Sequence, residues 1–336
     1  MKRLIVTGLA IASAALCALL SPDAAEAKTL KLSLYVPLDS MQGKATQEFK
    51  RLVEEKSGKS LEIRLFPSNQ LGGPYDVIDA QSAGSIEMSL LGFDIYSKFS
   101  PIVNLAGLPF IFTDREHAFT FFRGPLHEKA KDEILKTKQI RVIGGSEWNQ
   151  GPYKILLSRD PVNSTADLKG MSMRVPNNEV DLLVWGPAGA GASVNPIPWQ
   201  EAQLAIRQGL VKAIELPADF VVPFKFHESA KFLALTRHRH QVVYMTIAEK
   251  IWQGLTPVER KVLEDANTEA GAVYTKNVLS FWDDEQKMLR GQGVTIVDFD
   301  VSDWHKKAVT IARDLEAKGT WEKGLVDQVL GLRKTN

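Results

Sequence analysis

Two rhythms of apolar and polar positions alternate along the chain. Leu30, Leu32 and Leu34 are separated by Lys31 and Ser33, the two-residue period of a half-buried strand. Pro37 to Ser40 reads as a turn with a helix cap. Residues 42–57 change to a helical period, with Ala45, Phe49, Leu52 and Val53 on one face, and Gly58 ends it. Ser60 to Phe66 alternates again. A helix from about Tyr75 to Ser82, a break at Gly84 and a strand at Ile86 to Leu91 repeat the pattern. Thr113-Asp114-Arg115-Glu116 is a capping box before another helix, and Ile140 to Ile143 is a short apolar strand. Strand and helix in alternation predict α/β layers around a largely parallel sheet.

A second unit of the same kind starts near Gly151. Strands are predicted at Lys154 to Leu157, Met171 to Val175, Val194 to Ile197 and Ala213 to Glu215. Helices fall at Asn178 to Trp185 and Trp199 to Gln208, the latter closed by Gly209. Further on, Thr256-Pro257-Val258-Glu259 combines a cap, a proline at the first helical position and a capping glutamate. The helical pattern then runs past Gly271, where a kink could sit, to Gly291. That length suits a helix running along or between two domains. No repeat and no low-complexity linker is present, so crossings between the halves are expected to be short hinge segments.

The start of the chain adds a destination. Lys2 and Arg3 precede an apolar run from Leu4 to Leu20, and Ala25-Glu26-Ala27 fits a small-x-small cleavage site. Removal after Ala27 is expected, giving an exported, periplasmic protein. The one cysteine, Cys17, lies in this segment behind Leu16, which argues against lipidation. A mature chain without cysteine has no thiol catalysis and no thiolate metal site. With 41 basic and 40 acidic residues there is no basic cluster for nucleic acid or anionic lipid.

Catalytic patterns are missing. Gly186-Pro187-Ala188-Gly189-Ala190-Gly191 follows a helix, leads into a strand and lacks the lysine of a phosphate loop, so it reads as a connection. His238 and His240 have no third ligand near them in sequence, and neither His-Glu-x-x-His nor Gly-x-Ser-x-Gly occurs. No metal and no cofactor are expected, and an enzyme is not. Arg174 differs. Pro176 stops its strand, which puts Arg174 at the strand's end, where ligands of open α/β sheets bind. A guanidinium there can hold a carboxylate through two parallel hydrogen bonds, although a surface arginine fits the spacing equally.

At this point the chain resembles the DctP-type solute-binding proteins of TRAP (tripartite ATP-independent periplasmic) transporters. Four stretches carry the resemblance in order: Pro67-Ser68-Asn69-Gln70-Leu71-Gly72, Leu108-Pro109-Phe110, Asp167-Leu168-Lys169-Gly170 with Met173-Arg174-Val175-Pro176, and Trp199 to Pro217. Lys225 to Glu228 and Thr236-Arg237-His238 continue it. The resemblance implies an α/β two-domain periplasmic binding protein, a clamshell with a long helix bracing both domains. Its boundaries are expected at 28–151 plus about 240–279, and 152–239 plus about 280–336, after a signal peptide over 1–27. It implies TRAP membrane subunits as partners, and Arg174 as the group that pairs with the ligand carboxylate.

Departures from the family pattern shape the expected pocket. The place of a second arginine falls on Tyr153 or Lys154, and a frequent asparagine has become Leu216. Trp148, Tyr153 and Phe220 lie in segments that border the family's cleft, and Phe93 follows a strand end. Together these suggest an apolar or aromatic monocarboxylate as ligand. Lesser contacts are expected from Asp39, Ser40, Gln42 and the Gly92-Phe93 turn, while Trp199 and Glu201 read as structural. The rivals are a receptor feeding a signalling protein, and an exported hydrolase. Monomer and homodimer both remain open.

Overall fold

The structure is a computed structural model describing residues 27–333, so the expected leader segment and Cys17 lie outside the described residues. Eleven strands are described: β1 (Lys28–Leu34), β2 (Leu61–Phe66), β3 (Met88–Gly92), β4 (Ile140–Ile143), β5 (Lys154–Ser158), β6 (Ser172–Val175), β7 (Ser193–Pro196), β8 (Ala213–Pro217), β9 (Phe232–Leu235), β10 (Val243–Ala248) and β11 (Thr295–Asp298). They form two sheets, ordered β2-β1-β3-β10-β4 and β11-β9-β5-β8-β6-β7.

Both sheets are largely parallel, as the rhythm suggested, with one reversed strand in each. β10 runs antiparallel to both its neighbours, and so does β5. Both strands are the first after a crossing between the halves, and a chain that crosses directly enters the new sheet against its direction. The two crossing segments also pair with each other. Asn149 bridges Val242, the Gln150 N–H donates to the Gln241 carbonyl at 2.9 Å, and the Lys154 N–H donates to the Arg239 carbonyl at 2.9 Å. The hinge is thus a two-stranded ribbon held by backbone hydrogen bonds.

Helices cover the sheets because their apolar stripes need a partner layer. Helix Met41–Lys56 buries Ala45, Phe49, Leu52 and Val53, the face expected for it. The capping box at Thr256 opens a single helix, Pro257–Gly291, of 35 residues. At 1.5 Å per residue it spans about 52 Å. It packs against helix Met41–Lys56 and β4 on one side and against β11 on the other. It runs through Gly271, where a side chain is excluded: a Cβ there would meet the Trp148 indole at 2.7 Å.

The C-terminal residues divide their contacts. Helix Ser302–Ala317 packs on helix Glu179–Trp185, with Trp304 Nε1 donating to the Val184 carbonyl at 2.9 Å. Helix Leu325–Leu330 returns to helix Pro101–Ala106, and its Val329 carbonyl meets Nε2 of His117, on helix Arg115–Phe122, at 2.8 Å. Helix Leu325–Leu330 therefore joins the first half's layer, although residues from about 280 onward were expected in the second. Among the described residues no helix is long and apolar enough to cross a membrane.

Candidate functional site

A cavity of about 290 Å3 lies between the halves. The first half lines it with Tyr35, just after β1, with Pro74 and Tyr75, and with Asp94 and Ile95 after β3. The second half contributes Lys154, Arg174, Trp199, Glu215 and Phe220, and the crossing ribbon adds Gln150 and Gln241. Most of these stand at strand ends, as expected of α/β ligand sites.

Each polar group is aimed by local structure. After β3 the chain enters a short 3-10 turn, Phe93–Lys98. That turn sends Phe93 into the core, edge-on to Phe122 and Tyr244, and leaves Asp94 at the cavity. On β8, side chains alternate between faces. Glu215 points to the cavity, so Leu216 points into the core.

Buried charges meet here. Lys154 Nζ lies 2.9 Å from Asp94 Oδ2 and 3.2 Å from Glu215 Oε2. Arg239 Nη2 lies 2.7 Å from Asp181 Oδ1, and its Nη1 is 3.6 Å from Asp94 Oδ2. Burial alone would raise the Glu215 carboxyl, but Lys154 and His238 hold it well below the ordinary range. His238 is pushed down to about 4 by burial, against the pull of Glu215.

Arg174 stands apart. Its side chain is buried, its Nε donates to the Ile197 carbonyl at 2.8 Å, and its guanidinium lies 5.4 Å from the Trp199 ring centre. Among the described residues no carboxylate lies within salt-bridge distance of it. Burial lowers its pKa, partly offset by the fields of Glu215, Asp181 and Asp94. A buried cation without a counter-charge is expensive unless a bound anion completes it.

Of the residues expected at the site, Arg174, Lys154 and Phe220 line this cavity. The others lie outside its lining. Trp148 Nε1 donates to Asn267 Oδ1 at 2.8 Å, and the Tyr153 hydroxyl accepts from Trp282 Nε1 at 2.8 Å, so both are anchored on the long helix. Leu216 and Phe93 are core. Gly92 backs the site: a Cβ there would meet Asp94 Oδ1 at 2.8 Å and Gln150 Oε1 at 3.2 Å. Asp39 is exposed, Ser40 caps helix Met41–Lys56, and Gln42 is buried beneath it. Sequence reasoning missed Tyr35, Asp94, Gln150, Glu215 and Gln241, and it read Trp199 as structural. The alternation on β8 was the available signal for Glu215, since an inward Leu216 turns its neighbour outward.

Residues 32–317 match the family model for bacterial extracellular solute-binding proteins, family 7. The chain belongs to this family. It is 29% identical over 292 residues to the 2,3-diketo-L-gulonate-binding periplasmic protein YiaO of Escherichia coli, covering 87% of this chain and 86% of that one. The C4-dicarboxylate-binding periplasmic protein DctP of Rhodobacter capsulatus is 26% identical, with 80% of each chain covered. A TRAP solute-binding protein from Roseobacter denitrificans, solved with bound L-galactonate, superposes with a TM-score of 0.80 at 25% identity. The match covers 90% of this chain and 98% of that one. The chain is thus a TRAP-type solute-binding protein and not an enzyme, like the relatives it matches. Family members of this kind are periplasmic and work with TRAP membrane components.

The expected apolar or aromatic monocarboxylate does not survive. It rested on Trp148, Tyr153, Phe220, Phe93 and Leu216, of which only Phe220 lines the cavity. The groups that line it include three carboxylates, two lysines and three glutamines, and the acid bound by the Roseobacter protein is polyhydroxylated.

Proposed function

We propose that this receptor captures a small hydroxylated organic acid between its halves and presents it to the membrane subunits of a TRAP transporter. Arg174 holds the ligand carboxylate, and Asp94, Gln150, Glu215 and Gln241 face its hydroxyls. One observation carries the reading: Arg174 is buried in the cavity without a carboxylate partner. A ligand carboxylate supplies the missing charge with two parallel hydrogen bonds. The names of YiaO and the Roseobacter protein support an acid of the sugar-acid class.

Closure follows from the same geometry. Asp94 of the first half reaches Lys154 of the second at 2.9 Å, and the Tyr35 and Phe220 rings face each other at 5.6 Å. A ligand touching both sides favours this closed arrangement over an open one. The leader pattern, together with the family, supports a periplasmic location.

Titration calorimetry tests the reading with L-galactonate and 2,3-diketo-L-gulonate against alkyl and aryl acids of similar size. Binding of a hydroxylated acid, lost in Arg174→Ala, is the expected result. Binding of aryl or alkyl acids alone, or equal affinity in Arg174→Ala, overturns it.

A further inference from the structure

We infer that the cavity accepts acids with one carboxylate and rejects those carrying a carboxylate at both ends, with Asp94 as the residue that enforces the difference. The inference rests on the reading of Arg174 as ligand anchor and adds the class of acid that follows from the remaining charges.

A second ligand carboxylate needs a second buried cation, and the other buried cations here are already committed. Lys154 has only 4% of its side chain exposed and touches two carboxylates, Asp94 at 2.9 Å and Glu215 at 3.2 Å. Arg239 is held by Asp181 at 2.7 Å and turns its other nitrogen towards Asp94. Lys98 also lines the cavity, but it is exposed and lies over the Tyr75 ring, 4.5 Å from its centre, where water and salt screen its charge. Arg174 is the buried cation left over, and it suits one anion.

Besides Arg174, the cavity presents a ligand with Asp94, Glu215, Gln150 and Gln241. Ionised carboxylates only accept hydrogen bonds. They suit the O–H of a hydroxyl and repel a second carboxylate, and like charges brought together inside an interface cost several kcal/mol. Asp94 is better placed than Glu215 to make this choice. It comes from the opposite half, keeps 13% of its side chain exposed against 2% for Glu215, and stands within reach of both Lys154 and Arg239. Removing its charge frees part of two cations for an incoming anion.

The test is calorimetry with matched pairs of sugar acids that differ only at the far carbon, such as L-galactonate against galactarate, for several chain lengths. Wild type is expected to bind the monoacid at least roughly 100-fold more tightly than its diacid. In Asp94→Asn that ratio should fall by roughly tenfold or more, because Lys154 and Arg239 regain charge to offer. Equal or tighter binding of the diacid by wild type overturns the inference while leaving the receptor reading intact. A ratio unmoved in a folded Asp94→Asn variant removes Asp94 from its role. Failure of every hydroxylated monoacid to bind wild type sinks the receptor reading, and this inference with it. The wild-type ratio stands as a test even if the variant does not fold.

Discussion

Lys154 and Arg174 are two buried cations of the same half, lining the same cavity, and they are in opposite situations. Lys154 is neutralised by Asp94 and Glu215, while Arg174 has a backbone carbonyl and an aromatic ring. Burial is common to both, so burial does not mark the ligand anchor. The missing counter-charge does. A compensated cation is part of the protein's own structure, and an uncompensated one waits for an anion from outside.

The largest effect that could break this contrast concerns Lys154. Lys154→Met leaves Asp94 and Glu215 facing each other without their cation, and breaking such a buried group costs about 3–5 kcal/mol. A marked fall in the melting temperature of the ligand-free protein is expected. A melting temperature equal to wild type contradicts the structural role.

Arg174→Ala is the mirror experiment. It should cost about 2–5 kcal/mol of ligand affinity by calorimetry. The ligand-free protein should lose little stability, or gain some, because a buried cation without a partner has been removed. Strong destabilisation without ligand would place Arg174 with Lys154 and erase the comparison.

A pair of carboxylates repeats the contrast four residues apart. Glu215 is held down by Lys154, whereas Asp219 has a hydrogen bond from the Tyr274 hydroxyl at 2.8 Å and is pushed up by burial to about 6. A raised folded-state value means that the folded protein holds the proton more tightly than the unfolded chain. The stability this contributes is fully present below about pH 4 and is lost as pH rises through about 6. Asp219→Asn should therefore be more stable than wild type at pH 7 by about 2–3 kcal/mol, with the two converging near pH 4. Parallel denaturation curves across that range would show that Asp219 ionises freely.

The smallest effect sharpens the picture of Arg174. Trp199→Leu removes the ring beneath the guanidinium and should weaken binding by about 0.5–2 kcal/mol, in the range of a cation–π contact. No change in affinity would return Trp199 to the purely structural role its sequence position suggested.

Much of the fold was legible in the chain. The strand at Leu30 to Leu34, the helix carrying Phe49 and Val53, and the long helix opened by Thr256-Pro257-Val258-Glu259 all came from local periodicity and capping. The site was legible at Arg174, because a proline two residues later fixes where its strand ends. It was not legible at Asp94 or at the hinge glutamines. Gln150 and Gln241 are ninety-one residues apart and meet through a side-chain hydrogen bond inside the crossing ribbon. The aromatic residues misled for a related reason. Trp148 and Tyr153 flank that ribbon, but Asn267 and Trp282 on the long helix draw their side chains away from the cavity.

The sequence by itself determined the α/β rhythm, the long helix and the arginine at a strand end, because each depends on spacing and caps within a few turns of chain. Only the tertiary structure decided which charges cancel. Asp94 and Lys154 are sixty residues apart, and Lys154 and Glu215 are sixty-one. Whether a buried cation is satisfied depends on which distant carboxylates the two sheets bring within about 4 Å of it, and Coulomb interactions in a low-dielectric interior are set by that distance and not by position along the chain.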